Sequence, residues 1–212
     1  ITGLETAGAL KLNGSDVALN TVVSLADLTS GLLTFVPASN ASGTPYTTFS
    51  YEVYDGADYS AASYTLTVNV NSVNDAPSFT KGGNQTHVVN DGAISVSNWA
   101  TSISAGPGEG SQTLTFTVTN DNNALFASQP DVDETTGDLT YTLAAATTGS
   151  ATVSVTLSDN GGTANGGVNT TAAQTFTITV NAAVNNPPTG SDNSVTFNED
   201  ATYTFAAADF ST

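Results

Sequence analysis

The chain has no cysteine and no methionine, and its only basic residues are Lys11 and Lys81, against 19 acidic ones. Without cysteine there is no disulfide and no thiolate metal site, so stability must come from packing or from bound ions. A net charge of −17 repels phosphate backbones, which argues against nucleic acid as a partner. Anionic membrane surfaces are disfavoured for the same reason. No apolar run is long enough for a transmembrane helix, so no membrane insertion is expected. No signal peptide is visible, and Ile1 runs straight into a strand-like pattern, so a fragment of something longer is expected. The single histidine, His87, lies inside a strand pattern and leaves one possible base for a Ser-His-Asp arrangement. No enzyme is expected. Charge repulsion also opposes compactness, and divalent cations would relieve it wherever carboxylates cluster.

What the chain does have is short-range alternation. Hydrophobic residues make up 39%, enough for cores. Strand patterns run through Ala9–Leu12, Val17–Val23, Leu32–Val36, Thr47–Tyr54 and Tyr64–Val70. They resume at Thr86–Val89, Ile94–Trp99, Leu114–Thr119, Leu139–Leu143, Ala151–Leu157 and Thr175–Val180. Asn13-Gly14 is a strong hairpin signal. Ser24 to Leu28 reads as one turn of helix, and no other helical period appears. Many short strands separated by Gly, Asn, Asp and Pro point to β-sandwiches. Trp99 and Phe116 are read as core residues.

Two linkers carry nearly the same text: Ser72-Val-Asn-Asp-Ala-Pro77 and Ala183-Val-Asn-Asn-Pro-Pro188. Each follows an alternating strand, so one unit of about 110 residues is bounded twice by the same signal. Residues 1–74 are expected to form the C-terminal part of a sandwich lacking its first strands. Residues 75–186 should be a complete sandwich. Residues 187–212 read as the opening strands of a further one, with Ser194–Phe197 and Thr202–Phe205 as a strand pair. That pair could be donated to the first unit of a neighbouring chain, head-to-tail.

Oxygen-bearing side chains gather at the unit ends: Asp55 and Asp58, Asn74 and Asp75, Glu109, Asp159, Asn185 and Asn186, Glu199 and Asp200. Ca²⁺ takes six to eight oxygen ligands, which loops and a linker together can supply. The same residues also serve as ordinary turn formers. Asp131-Val-Asp-Glu134, leading to Gly137-Asp138, reads as a loop-to-strand turn or a second acidic site.

Three of these stretches resemble a known family. Ser72 to Pro77, Phe197-Asn-Glu-Asp-Ala-Thr-Tyr-Thr-Phe205 and Ser158-Asp-Asn-Gly-Gly-Thr-Ala-Asn-Gly-Gly167 look like the tandem cadherin-like repeats of large bacterial surface proteins, including type I-secreted RTX-type adhesins. The resemblance implies an all-β chain of tandem Ig-like or cadherin-like β-sandwiches joined by short acidic linkers. It also implies an extracellular location on a bacterial surface and a structural or adhesive role in a filament or biofilm. Calcium would lie at the joints, with Asp55, Asp58, Asn74, Asp75, Glu109, Asp159, Asn185, Glu199 and Asp200 as its ligands. Asp55, Asp58 and Asp75 are expected to converge near Glu109, and Asp159 near Glu199. The alternative role is recognition of a glycan or another cell surface, with Tyr46, Tyr54 and Tyr59 the aromatics to inspect. The chain departs from the family at Val89-Asn-Asp91, which lacks the Glu of Asn198-Glu-Asp200. Asn186 stands in place of the linker Asp, and Gly108-Glu109-Gly110 is a thin acidic loop.

Overall fold

The computed structural model describes all residues except Asn186, Pro188, Thr189, Ser191, Ser211 and Thr212. Its regular structure is mostly strand, as the alternation requires. In the first unit β1 (Ala9–Leu12) turns at Asn13-Gly14 into β2 (Ser15–Asp16). Both turn residues have positive φ, 50° and 80°, the pair of left-handed conformations that a tight hairpin needs. Lys11 and Asp16 close this hairpin with an exposed ion pair of 2.5 Å, which contributes little in water. The short helix α1 (Leu25–Thr29) starts at Ser24, whose side chain accepts from the Asp27 amide while the Asp27 carboxylate accepts from the Ser24 amide. β3 (Leu33–Val36) pairs antiparallel with β1, and β4 (Gly43–Tyr51) pairs antiparallel with β5 (Tyr64–Val70). The core between them is small: Leu10, Val17 and Phe49, flanked by Ile1, Leu12, Leu33, Tyr51 and Val68.

The middle unit is larger. It comprises β6 (Ser78–Thr80), β7 (Gln85–Val88), β8 (Ala93–Val96), β9 (Thr101–Ser104), β10 (Leu114–Asn120), β11 (Phe126–Val132), β12 (Leu139–Leu143), β13 (Gly149–Asp159) and β14 (Gln174–Asn181). One sheet has the order β10-β13-β14-β7, with β7 parallel to β14; the other has the order β11-β12-β8. β6 and β9 make a separate pair. The inward faces bury Ala151, Val153, Val155 and Leu157 from β13 against Val132, Leu139 and Leu143 of the facing sheet. Ser and Thr occupy the alternate positions of β13, as period 2 demands. Each such buried aliphatic side chain contributes roughly 1.5–3 kcal/mol relative to exposure. Trp99 is buried against Phe176, and its indole N–H donates to the Gly83 carbonyl at 3.0 Å. Gly82 lies directly under that ring, where any Cβ would collide with it.

Several boundaries differ from the sequence expectation. Val17–Val23 is not a strand; only Ser15–Asp16 pairs, and the chain turns at Asn20, whose φ is +65°. β11 carries Pro130, the kind of residue that argues against a strand, yet its register is broken there by bulges that tolerate a missing donor. β6 and β9 are too short to give a period. Ser194–Phe197 and Thr202–Phe205 are not paired as strands; the described tail ends in a single 3-10 turn, Ala207–Phe210.

Candidate functional site at the Asn74–Asp75 joint

The joint after β5 is built into the middle unit rather than strung beside it. Asn74 is 9% exposed and Asp159 is 7% exposed. The Asn74 amide nitrogen donates to Asp159 Oδ1 at 2.9 Å and to the Val168 carbonyl at 2.8 Å. Its amide oxygen accepts from Gln112 Nε2 at 2.8 Å. The Val168 amide donates back to the Asn74 carbonyl, and the Gly161 amide donates to Asp159 Oδ1. Gly161 and Gly167 make this possible, because a Cβ on either would run into Asn74. One residue on, the Asp75 amide donates to Glu109 Oε2 at 3.1 Å.

Two oxygens in this cluster have no hydrogen-bond partner: Asp159 Oδ2 and Gln112 Oε1, both buried. A buried carboxylate oxygen without a donor is costly, and a bound cation is one way to offset that cost. The set is all oxygen, which suits a hard cation such as Ca²⁺ and not zinc. The carboxylates alone do not make the site. Among the described residues, no three Asp, Glu or His side chains gather closely enough to hold a metal ion. A cation here would therefore draw on amide and main-chain oxygens as well.

The expected convergences are only partly met. Asp75 meets Glu109, through its main-chain amide, and Asp159 meets Asn74 instead of Glu199. Asp55 and Asp58 do not join them. β4 and β5 pair with Gly43 opposite Val70 and Tyr51 opposite Tyr64. The residues after Tyr51 thus lie at the end of the first unit remote from Asp75. Both are exposed, and Asp55 Oδ1 closes a turn by accepting from the amides of Ala57 and Asp58. Those two bonds, led by the Asp58 amide, hold its carboxyl below the usual range. Asp159 does not approach Glu199. It ends β13 opposite Leu114, beside the joint that precedes the unit, whereas β14 exits at the other end. The physical reason is the same in both units: the acidic residue after the long hairpin strand lies at the unit's entrance. Asn185, Glu199 and Asp200 are exposed, Glu199 and Asp200 in a turn, and Asn186 falls outside the described residues.

Asp133 accepts from the Thr136 and Thr135 amides and from the Thr136 hydroxyl, which lowers its pKa. Asp138 accepts from the Asn98 amide. The Asp133 bonds are turn bonds, in line with the loop-to-strand reading, while the Asp138 bond ties this loop to Asn98. Tyr46 is likewise structural: its hydroxyl accepts from the Ala38 amide, and its ring packs edge-on against Phe35. Tyr54 and Tyr59 remain exposed as a tilted pair 4.8 Å apart. Sequence reading missed the bond between His87 Nε2 and the hydroxyl of buried Tyr141, 2.6 Å long, because strands distant in sequence carry them. Burial pushes the Tyr141 pKa up to about 12.

No family profile matches the chain, and no curated protein matches it. Among solved structures, human mucin-like protocadherin EC1-2 aligns over 86% of this chain and 85% of that one, at 17% identity and a TM-score of 0.39. Mouse clustered PcdhgC3 EC1-3 aligns over 70% of this chain and 48% of that one, at 19% identity and a TM-score of 0.35.

Proposed function

We propose that this chain is a length of extracellular stalk: a non-enzymatic structural and adhesive module of a bacterial surface protein, stiffened by Ca²⁺ at its first joint. The observation that carries the calcium reading is that Asp159 and Gln112, both bonded to Asn74, each keep one buried, unpartnered oxygen, Oδ2 and Oε1. Asp159 and Gln112 would hold the ion, with Asp75 and Glu109 at its rim. The ion would supply charge neutralisation and crosslinking, not chemistry. Asn74 does its work without the ion, because it already ties the linker to Asp159, Gln112 and Val168. With one joint locked to the next unit, the chain passes an orientation from module to module, as a stalk must.

The test is a thermal melt of the full chain in excess calcium and again in chelator, with elemental analysis of the dialysed protein. Binding to the folded state alone stabilises it by about 2.7 kcal/mol at a hundredfold excess over the dissociation constant. Identical melts and no retained metal would reject calcium. A second reading, a glycan- or cell-binding module, rests on the exposed Tyr54–Tyr59 pair. Binding in a carbohydrate screen that is lost on Tyr59→Ala would favour it.

A further inference from the structure

We propose that Tyr54 and Tyr59 are a site of oxidative crosslinking, joined by a haem peroxidase and hydrogen peroxide into an intrachain dityrosine. The first observation is what the chain lacks. Cysteine and methionine are the side chains that oxidation ordinarily takes first, and there is neither. Trp99 is 3% exposed and packs on Phe176. One-electron oxidation of the folded chain therefore falls on the tyrosines, of which there are seven. Tyr141 is buried, Tyr46 packs edge-on against Phe35, and Tyr203 lies against Phe197 and Phe205. None of these three has another tyrosine as a ring neighbour among the described residues. The other four sit on one hairpin as two pairs, Tyr51 with Tyr64 and Tyr54 with Tyr59.

The hairpin itself sets the geometry of the second pair. β4 and β5 pair as far as Tyr51 opposite Tyr64. Beyond them the two strands close again. The Ser60 amide donates to the Val53 carbonyl at 2.8 Å, and Tyr54 and Tyr59 form an isolated antiparallel bridge. Asp55 shapes the tip between them, its Oδ1 accepting from the Ala57 and Asp58 amides. Residues directly opposite across such a bridge carry their side chains on one face, close enough to touch. The rings follow, with centroids 4.8 Å apart and planes inclined by 37°. The Tyr54 hydroxyl donates to the Gly56 carbonyl at 2.8 Å, which holds its ring over the tip. Both rings face solvent, at 52% and 60% exposure. The contacts that bring them together all lie within residues 51–64 and depend on no other part of the chain. The Tyr51–Tyr64 pair is looser, at 5.9 Å, and Tyr51 packs on the first core, so coupling there would draw a ring off that core.

In the reaction each phenol gives up one electron and one proton to become a phenoxyl radical, and hydrogen peroxide is reduced to two waters. The two radicals join through ring carbons next to the hydroxyls, forming one Cε–Cε bond. Each of those carbons then passes its hydrogen to its own ring's oxygen, which restores both phenols. The chain loses two hydrogens and no other atom. Rings already in contact couple within the chain, which favours that product over coupling between chains. The net charge of −17 also keeps separate chains apart. The product does what a disulfide does where cysteine is present: it closes a loop covalently, here the tip of the hairpin whose strand β4 carries Phe49 into the first core.

The experiment treats the full chain with a haem peroxidase and hydrogen peroxide, then reads dityrosine fluorescence, intact mass and size under denaturing conditions. The expected product is a monomer lighter by two hydrogens, with a fluorescence yield per chain that does not fall on dilution. Tyr54→Phe and Tyr59→Phe should each lose the fluorescence, whereas Tyr64→Phe should keep it. Each of these changes removes one hydroxyl from an exposed residue and leaves the ring in place. Proteolysis before Asp55 and Asp58 cuts the tip between the two rings, and in the oxidised chain the two flanking fragments should stay joined after denaturation. Absence of dityrosine from the wild-type chain, dityrosine retained in Tyr59→Phe or lost in Tyr64→Phe, or dityrosine found only in crosslinked dimers would overturn the proposal.

Discussion

Replacing Asn74 with alanine tests whether the joint is part of the middle unit. The side chain makes three hydrogen bonds: two donated, to Asp159 Oδ1 and the Val168 carbonyl, and one accepted from Gln112 Nε2. Asp159 Oδ1 would keep the Gly161 amide. The Val168 carbonyl and the Gln112 amide would each lose a partner in a part-buried place. An unmade buried polar group costs about 1–3 kcal/mol, and because water reaches part of this place the two together should cost about 2–4 kcal/mol. For a unit of about 100 residues that lowers the melting temperature by roughly 10–25 °C. The assay is differential scanning calorimetry in chelator, which separates this effect from any ion. Asn74→Asp keeps the shape but removes both donors and sets a second carboxylate against Asp159, so it should cost more than alanine. If Asn74→Ala melted within about a degree of wild type, the linker would be a tether lying on the surface, and the joint geometry argued above would be wrong.

Three other outcomes are expected. Gly137→Ala should destabilise by roughly 2 kcal/mol or more, because Gly137 has φ +73° and a Cβ there would strike the Ala100 carbonyl; a wild-type melt would contradict this. Tyr141 should stay protonated in an ultraviolet titration well after exposed tyrosines ionise. Its folded pKa of about 12 lies above the unfolded value, so the unfolded chain loses its proton first and stability should fall as pH rises from about 10 to 12. Calorimetry should resolve two transitions, since the described core of the first unit holds three buried residues and that of the middle unit seventeen. Ile178→Ala should lower only the upper transition, by about 2–5 kcal/mol, and Leu10→Ala only the lower; a single transition shifted by both would show one cooperative block.

Much of the fold was legible because alternation is a local signal. β5, β10, β12, β13 and β14 stand within a residue or two of where the period placed them, and Asn13-Gly14 and the Ser24 cap announced their turns. The exceptions have causes. Val17–Val23 alternates but has no strand to pair with, since β2 ends at Asp16 and Leu33–Val36 takes the other edge of β1. Pro130 hid β11. The joint was half legible. Carboxylates and amides marked Asn74, Asp75, Glu109 and Asp159 as belonging to unit ends, but spacing alone could not say which end. That depends on strand direction, which puts Asp159 at the entrance of its unit and separates Asp55 from Asp75. A local signal did exist for the Asn74 clamp. Gly161 and Gly167 flank the loop after β13, and two glycines there announce that something packs where their side chains would be.

The central claim, a calcium ion at the Asn74–Asp75 joint, is tested most directly by calorimetric titration of Ca²⁺ into the chelator-treated chain, alongside Asp159→Asn and Glu199→Gln. The expected result is saturable binding that Asp159→Asn abolishes or weakens by more than tenfold and Glu199→Gln leaves unchanged. No heat of binding in the wild-type chain, or equal binding in Asp159→Asn, would contradict it.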